Sequence, residues 1–275
     1  MGDDGPPFSP RQLGDMLLEY YRFLTTLHFN RAELRVPPEA GWPQLTDEYC
    51  ADFKAPFALE TLRHLPFWQS ADNDLEYLQI AEYNSRFINY LALSSAEFAE
   101  FDTKLYPYYE GDREAGADFQ QDPDRSHCIL LAKGSETGGV NLILDTYRGV
   151  ILKDMVAMDV NSHDIKEYLD GLQDKFRTLE FIPSSVGRVT LDGDDVTEAT
   201  ERITEQQLVD QRFQEGEDEP DWGTDLEMRF VRQVYREHGW PRAFQKEAAF
   251  AAVDRVIQRV QIECGSGAWP TVFWD

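Results

Sequence analysis

The chain is expected to adopt an α+β fold, with an antiparallel meander in the middle and helices at both ends. Two features of its 275 residues predict this. Residues 127–155, HCILLAKGSETGGVNLILDTYRGVILKDM, hold three short β-rich apolar runs (127–133, 140–145 and 150–153) joined by two tight connections, GSETGG and DTYRG. The segments on either side carry capping signals and apolar residues at three- and four-residue spacing, the mark of amphipathic helices. Strands gathered in the centre and helices at the ends imply a meander covered by helices rather than alternating βαβ units.

The elements follow in order. Ser9, Pro10 and Gln12 form an N-terminal capping box, and Leu13, Met16, Leu17, Tyr20, Tyr21, Leu24 and Leu27 then make one apolar stripe. Residues 29–56 are rich in proline and aromatics and are expected to lie against the core as an irregular arm. Residues 57–65 form a short helix stopped by Pro66. Residues 75–80 and 86–91 alternate like strands and are read as further members of the meander. The acidic stretch 109–125 is expected to be an exposed loop. After the meander, Asn161 or Ser162 is read as the cap of a helix over 163–178. Residues 179–182 and 188–191 are short β-like pieces. Thr204 and Gln207 form a second capping box, and Thr224 and Glu227 a third, which opens a helix closed by Gly239. Trp240-Pro241 is expected to open the last long helix. The acidic run 215–221 is the clearest linker signal, so residues 1–214 are expected to form an α+β core domain and 222–275 a helical segment, either a second unit or part of the same core.

Composition narrows the function. There are 51 Asp and Glu against 26 Lys and Arg, a formal charge of −25. Such a balance excludes direct nucleic-acid binding, because phosphate contacts need clustered Lys and Arg, and it disfavours an anionic membrane surface. It suits a basic protein partner. The three cysteines, Cys50, Cys128 and Cys264, lack CxxC spacing, which predicts neither a disulfide framework nor a zinc site. No apolar run approaches the roughly 20 residues that span a bilayer. The N-terminal residues lack a signal-peptide pattern, and the chain is expected to be cytoplasmic.

No cofactor or metal is expected. The glycine-rich GSETGG is followed by a strand, whereas a phosphate loop needs a helix N-terminus behind it. The histidines show no HExxH spacing. Asp192-Gly193-Asp194-Asp195 starts like a calcium loop but continues with Val196 at its fifth position and Ile203 at its twelfth. A hydrolase is the alternative reading, with Ser135 as nucleophile, His127 as base, Asp145 as orienting carboxylate and Glu136 beside them; no Gly-x-Ser-x-Gly elbow is present. The favoured binding residues are Gly134, Ser135, Glu136 and Thr137 of the loop, with Tyr108 and Tyr109 of the YPYY run as aromatic contacts. A self-associating structural subunit is a third reading.

The meander resembles the core of SUKH-type domains, which include bacterial immunity proteins and a fungal regulator of cell-wall synthesis. The matching residues are Gly134, Gly138, Gly139, Asn141, Leu142, Asp145 and Gly149. Leu65-Pro66 stands where those domains carry a Leu-Pro pair, but no Asn-Gly follows it. The chain is also similar to a filamentous-fungal protein family through residues 19–29, the meander and residues 222–241. The SUKH resemblance implies a domain without catalytic residues that acts by binding another protein.

Overall fold

In the computed structural model, residues 5–50, 53–69, 85–104, 124–134, 139–155, 160–184, 190–215 and 224–264 are described. The fold is α+β. By its internal contacts the chain divides into two units, one of Met1–Thr25 with Asn30–Gly171, the other of Thr26–Phe29 with Leu172–Asp275.

The first unit is built on a five-stranded antiparallel sheet of β3 (Ser85–Phe87), β4 (Cys128–Gly134), β5 (Val140–Asp145), β6 (Val150–Met155) and β7 (Val160–Asp164), neighbours in that order. Strands β4 and β5 are apolar almost without interruption and buried on both faces, as a central strand between covered layers must be. One face gathers Cys128, Leu130, Ile143 and Leu152. A bulge between Leu130 and Ala132 shifts the register, so that Ala132 pairs with Leu142. Strand β3 realises part of the expected run 86–91, whereas 75–80 and most of 109–125 lie outside the described residues.

Helix α1 (Pro10–Thr25) starts at the expected capping box. Ser9 N donates to Gln12 Oε1 at 2.8 Å, and Gln12 N donates to Ser9 Oγ at 3.3 Å. Its stripe is buried, and Tyr21 meets Phe87 edge-on at 4.8 Å. The arm 29–56 is docked, not loose. It contributes β1 (Leu34–Arg35), which pairs with β2 (Phe67–Trp68), and a single turn, α2 (Asp47–Cys50). Tyr49 Oη donates to the carbonyls of Tyr90 and Leu93 at 2.8 and 3.0 Å. Phe98 of α4 (Ser95–Lys104) stacks against Tyr49, Phe53 and Tyr90. Phe67 and Trp68 are core residues.

Two expectations in this part are corrected. Asn161 and Ser162 do not cap a helix; they belong to β7, where every residue from Val160 to Asp164 has a partner in β6. The helix α5 (Ile165–Thr178) is capped by Asp164 instead, whose Oδ1 accepts from Lys166 N at 2.8 Å and Glu167 N at 3.1 Å. Asn161, Ser162 and Asp164 are all cap-type residues; all three pair with β6, and Asp164, the last strand residue, also caps the helix that follows.

The second unit joins a hairpin, β8 (Phe181–Pro183) with β9 (Thr190–Asp192), to α6 (Glu205–Glu215), α7 (Asp225–Glu237) and α8 (Lys246–Cys264). Both expected capping boxes form, Thr204 with Gln207 and Thr224 with Glu227. Arg232, only 4% exposed, is the polar centre of this unit. Its guanidinium donates to the carbonyls of Leu179, Val196 and Gly193 at 2.9, 2.5 and 2.5 Å, tying α7 to the hairpin and the loop after it. Burial lowers its affinity for its proton, and Glu198 opposes that shift.

The units do not part at the acidic run 215–221. Helix α6 before it and α7 and α8 after it share one buried set that includes Leu208, Val209, Phe230, Val231, Val253 and Val256. The last helix also starts later than expected. Gly239 takes a left-handed φ of +87°, Trp240 Nε1 donates to the carbonyls of Phe176 and Arg177 at 3.1 Å each, and Gln245 N returns to His238 O at 2.9 Å. These bonds hold residues 239–245 in a turn. The buried face of α8 is then Ala249, Val253, Val256, Ile257 and Val260, with Ala248 exposed.

Within the first unit, α1 and α3 (Pro56–His64) approach backbone to side at Gly14, where an added Cβ would lie 2.3 Å from His64 O. Gly14→Ala is therefore expected to push these helices apart and lower unfolding stability by about 1–3 kcal/mol despite alanine's better helix propensity. Chemical denaturation monitored by circular dichroism reads this directly.

Candidate functional site

The glycine-rich connection between β4 and β5 is the first site that the sequence singles out. Of its binding residues only Gly134 is described; Ser135, Glu136 and Thr137 lie outside the described residues, as do Tyr108 and Tyr109. Gly134 is a structural necessity. A Cβ there would stand 2.6 Å from the carbonyl carbon of Gly139, so the neck of the hairpin closes only without a side chain. Asn141 Oδ1 accepts from Gly134 N at 2.9 Å and locks the same neck. Val140 continues directly as a strand, so no helix follows the loop.

The second candidate is the corner where β4 begins and β5 ends. Cys128 and Asp145 are register partners, which brings His127 beside the turn after β5. Asp145 is buried to 1% exposure. Its Oδ1 accepts from Tyr147 N at 3.1 Å and Arg148 N at 3.0 Å, and Arg148 Nη1 stands 3.9 Å from Oδ2. Burial raises its pKa, while the two amides, Arg148 and His127 pull the other way. The backbone carbonyl of His127 accepts from Thr146 N at 3.0 Å and Thr146 Oγ1 at 2.8 Å. The imidazole lies 5.0 Å from the Tyr147 ring, and its buried Nδ1 has no hydrogen-bond partner among the described residues.

Of the hydrolase arrangement, His127 and Asp145 are described, while Ser135 and Glu136 lie outside the described residues. His127 precedes the first residue of β4 and Ser135 follows its last, Gly134. At about 3.3 Å per strand residue, the two ends of β4 are on the order of 20 Å apart. Asp145 accepts the amides of its own turn through Oδ1, and the buried Nδ1 of His127 has no hydrogen-bond partner among the described residues. Asp145 acts as a turn cap, a role that the DTYRG pattern signals in the sequence.

A third feature escaped the sequence reading. Strand β7 is the outer strand of the sheet beyond β6, and Asn161, Ser162, His163 and Asp164 are all exposed. Among the described residues no further strand pairs with its outer edge, and Asp164, Glu167 and Asp170 follow at its end, the last paired with Lys166. The sequence hid this edge because four polar residues in a row carry no period-2 alternation.

His28 was also missed. It lies in the short segment assigned to the second unit, 8% exposed, against Phe29 at 4.5 Å and Phe176 at 6.0 Å. Neither ring nitrogen has a hydrogen-bond partner among the described residues. Burial first, and Lys246 second, lower its pKa to about 3. No group of three or more His, Cys, Asp or Glu side chains among the described residues gathers to hold a metal ion. No helix among them is long and apolar enough to cross a membrane. The chain matches no family model, no curated protein and no solved structure.

Two measurements test these assignments. Asp145→Asn keeps the acceptor for the turn amides and removes a buried charge, so at neutral pH it is expected to leave unfolding stability unchanged or slightly raised, whereas Asp145→Ala costs about 1–3 kcal/mol by orphaning both amides. His28 is neutral in the fold well below its ordinary value of 6.5. The unfolded chain therefore binds the extra proton between pH 6.5 and about 3, and stability is lost as pH falls through that window. The slope is up to about 1.4 kcal/mol per pH unit, and His28→Phe is expected to flatten it in urea titrations run across that range.

Proposed function

We propose that this chain is a soluble, cytoplasmic, non-enzymatic interaction module that docks a basic protein partner along the open edge of β7. The observation that carries the reading is that edge: an outer strand exposed at Asn161 to Asp164, to which no further strand pairs among the described residues, in a chain of formal charge −25. An extended segment of the partner adds to the edge through main-chain bonds, and its Lys and Arg side chains meet Asp164 and Glu167. The resemblance of the meander to SUKH-type domains points the same way, since those domains work by binding proteins.

The charge component of such docking weakens as salt shortens the reach of the field. The double variant Asn161→Lys/Ser162→Lys adds two cations to exposed positions of the edge, the device by which proteins blunt sheet edges. It is expected to keep the wild-type melting temperature, because surface changes of this kind stay within about 0.5 kcal/mol. Affinity capture from cell lysate with both proteins, washed at roughly 0.05 M and roughly 0.5 M salt, is the test. A basic protein held by the wild type at low salt, released at high salt and not held by the double variant is the expected result. Capture that ignores both the salt and the two lysines sinks the proposal.

A further inference from the structure

The second unit contains a cleft that the docking edge does not use. A cavity of about 330 Å³ opens among the loop before α6, the face of α7 and the middle of α8. This is near the lower end of the range in which small-molecule sites fall. Ile203, Phe230 and Val256 give it an apolar floor, each 5% exposed or less. One wall is stiff, since Gln233 holds Ile203 at both backbone groups, accepting from its N at 2.8 Å and donating to its O at 3.1 Å.

The rim is the informative part. Two carboxylates line the cleft, and each already has a cation: Glu237 takes both guanidinium nitrogens of Arg202, and Glu205 takes Arg259 at 3.2 Å. Arg255 lines the same cleft, is exposed, and makes no ion pair or hydrogen bond with any described residue. His238 stands on the rim as well; Val234 O lies 2.7 Å from its Nδ1 and accepts that proton, and Nε2 has no hydrogen-bond partner among the described residues. The first amides of α6 are occupied by the Thr204 capping box, so they do not supply an anion site. In a chain that is short of cations, an arginine without a carboxylate over an apolar floor is a recognition element rather than a neutraliser.

We infer that this cleft binds a small molecule with an apolar, aromatic-sized body and a single anionic group, which Arg255 receives while Phe230 and Val256 cover the body. Charge-assisted bonds of this type are stronger than neutral ones, and an uncharged isostere leaves the arginine unmatched. The inference stands independently of the β7 edge.

The probes are 4-phenylbutyrate and its uncharged amide, titrated by calorimetry into the full chain, into Arg255→Gln and into Ala252→Phe, with circular dichroism verifying that each variant is folded. The acid is expected to saturate one site and to bind about tenfold or more tightly than the amide, the amount that one charge-assisted bond contributes. Arg255→Gln is expected to bring the acid down to the level of the amide. Ala252→Phe, which fills the cleft from the lining of α8, is expected to abolish both. Absence of saturable binding of the acid overturns the inference, and so does equal binding of acid and amide or indifference to Arg255→Gln. Binding of the aromatic acid only when it is carried on a peptide also overturns it, because the cleft is then a groove for protein.

Discussion

Asp145, Thr146 and Gly149 hold three segments of the first unit in one place, and the sheet depends on them. The carboxylate of Asp145 fixes the amides of Tyr147 and Arg148, so the chain reverses between β5 and β6 without losing register across their six paired positions. Thr146 reaches back to the carbonyl of His127 and fixes where β4 starts. Gly149, at a φ of +67°, accepts from Ile165 N at 3.1 Å and so sets the first turn of α5 against the same corner. A side chain at Gly149 has no room, since its Cβ would meet Phe8 at 2.7 Å. Burying a carboxylate here is unfavourable in itself; two backbone donors and a nearby arginine offset it.

Scarcity of cations explains much of the electrostatic character. With 26 basic against 51 acidic residues, each Lys or Arg spent internally leaves the surface more negative. Several of them also bond backbone carbonyls. Lys54 serves the carbonyls of Arg125 and Cys128, Arg63 that of Leu45, and Arg232 three at once. Irregular segments have carbonyls that no ladder satisfies, and a long cationic side chain reaches several of them. The acidic exterior is thus in part a by-product of how the interior loops are held.

Where local chemistry decides the structure, the sequence was legible. Three capping boxes, the apolar stripe of α1 and the hairpin of β4 and β5 each follow from residues within a few positions of one another. Where distant partners decide, it was not. Nothing in Asn161-Ser162-His163 distinguishes an edge strand from a helix cap until β6 pairs with it. Trp240-Pro241 looks like a helix start because the carbonyls of Phe176 and Arg177, which hold the indole in a turn, lie far back along the chain. The two-residue ladder of β1 and β2 is too short to leave any period. The candidate sites divide in the same way: Asp145 was visible as a turn residue, whereas Arg255 became distinctive only once its neighbours were seen to be matched.

The assignment of Thr26–Phe29 to the second unit bears on the order in which the chain can mature during synthesis. Leu27, His28 and Phe29 are interior residues, and Phe176, against which His28 rests, is among the partners that emerge only after the entire sheet has been translated. The ribosome therefore releases a Leu-His-Phe strip whose covering does not yet exist. The first unit can close around α1 and the meander in the meantime, but the second cannot be completed from residues 172–275 alone. A nascent chain halted within the meander leaves that strip open to water and to any chaperone that recognises bare aromatic surface, and a fragment that starts after Gly171 lacks a piece of its own interior.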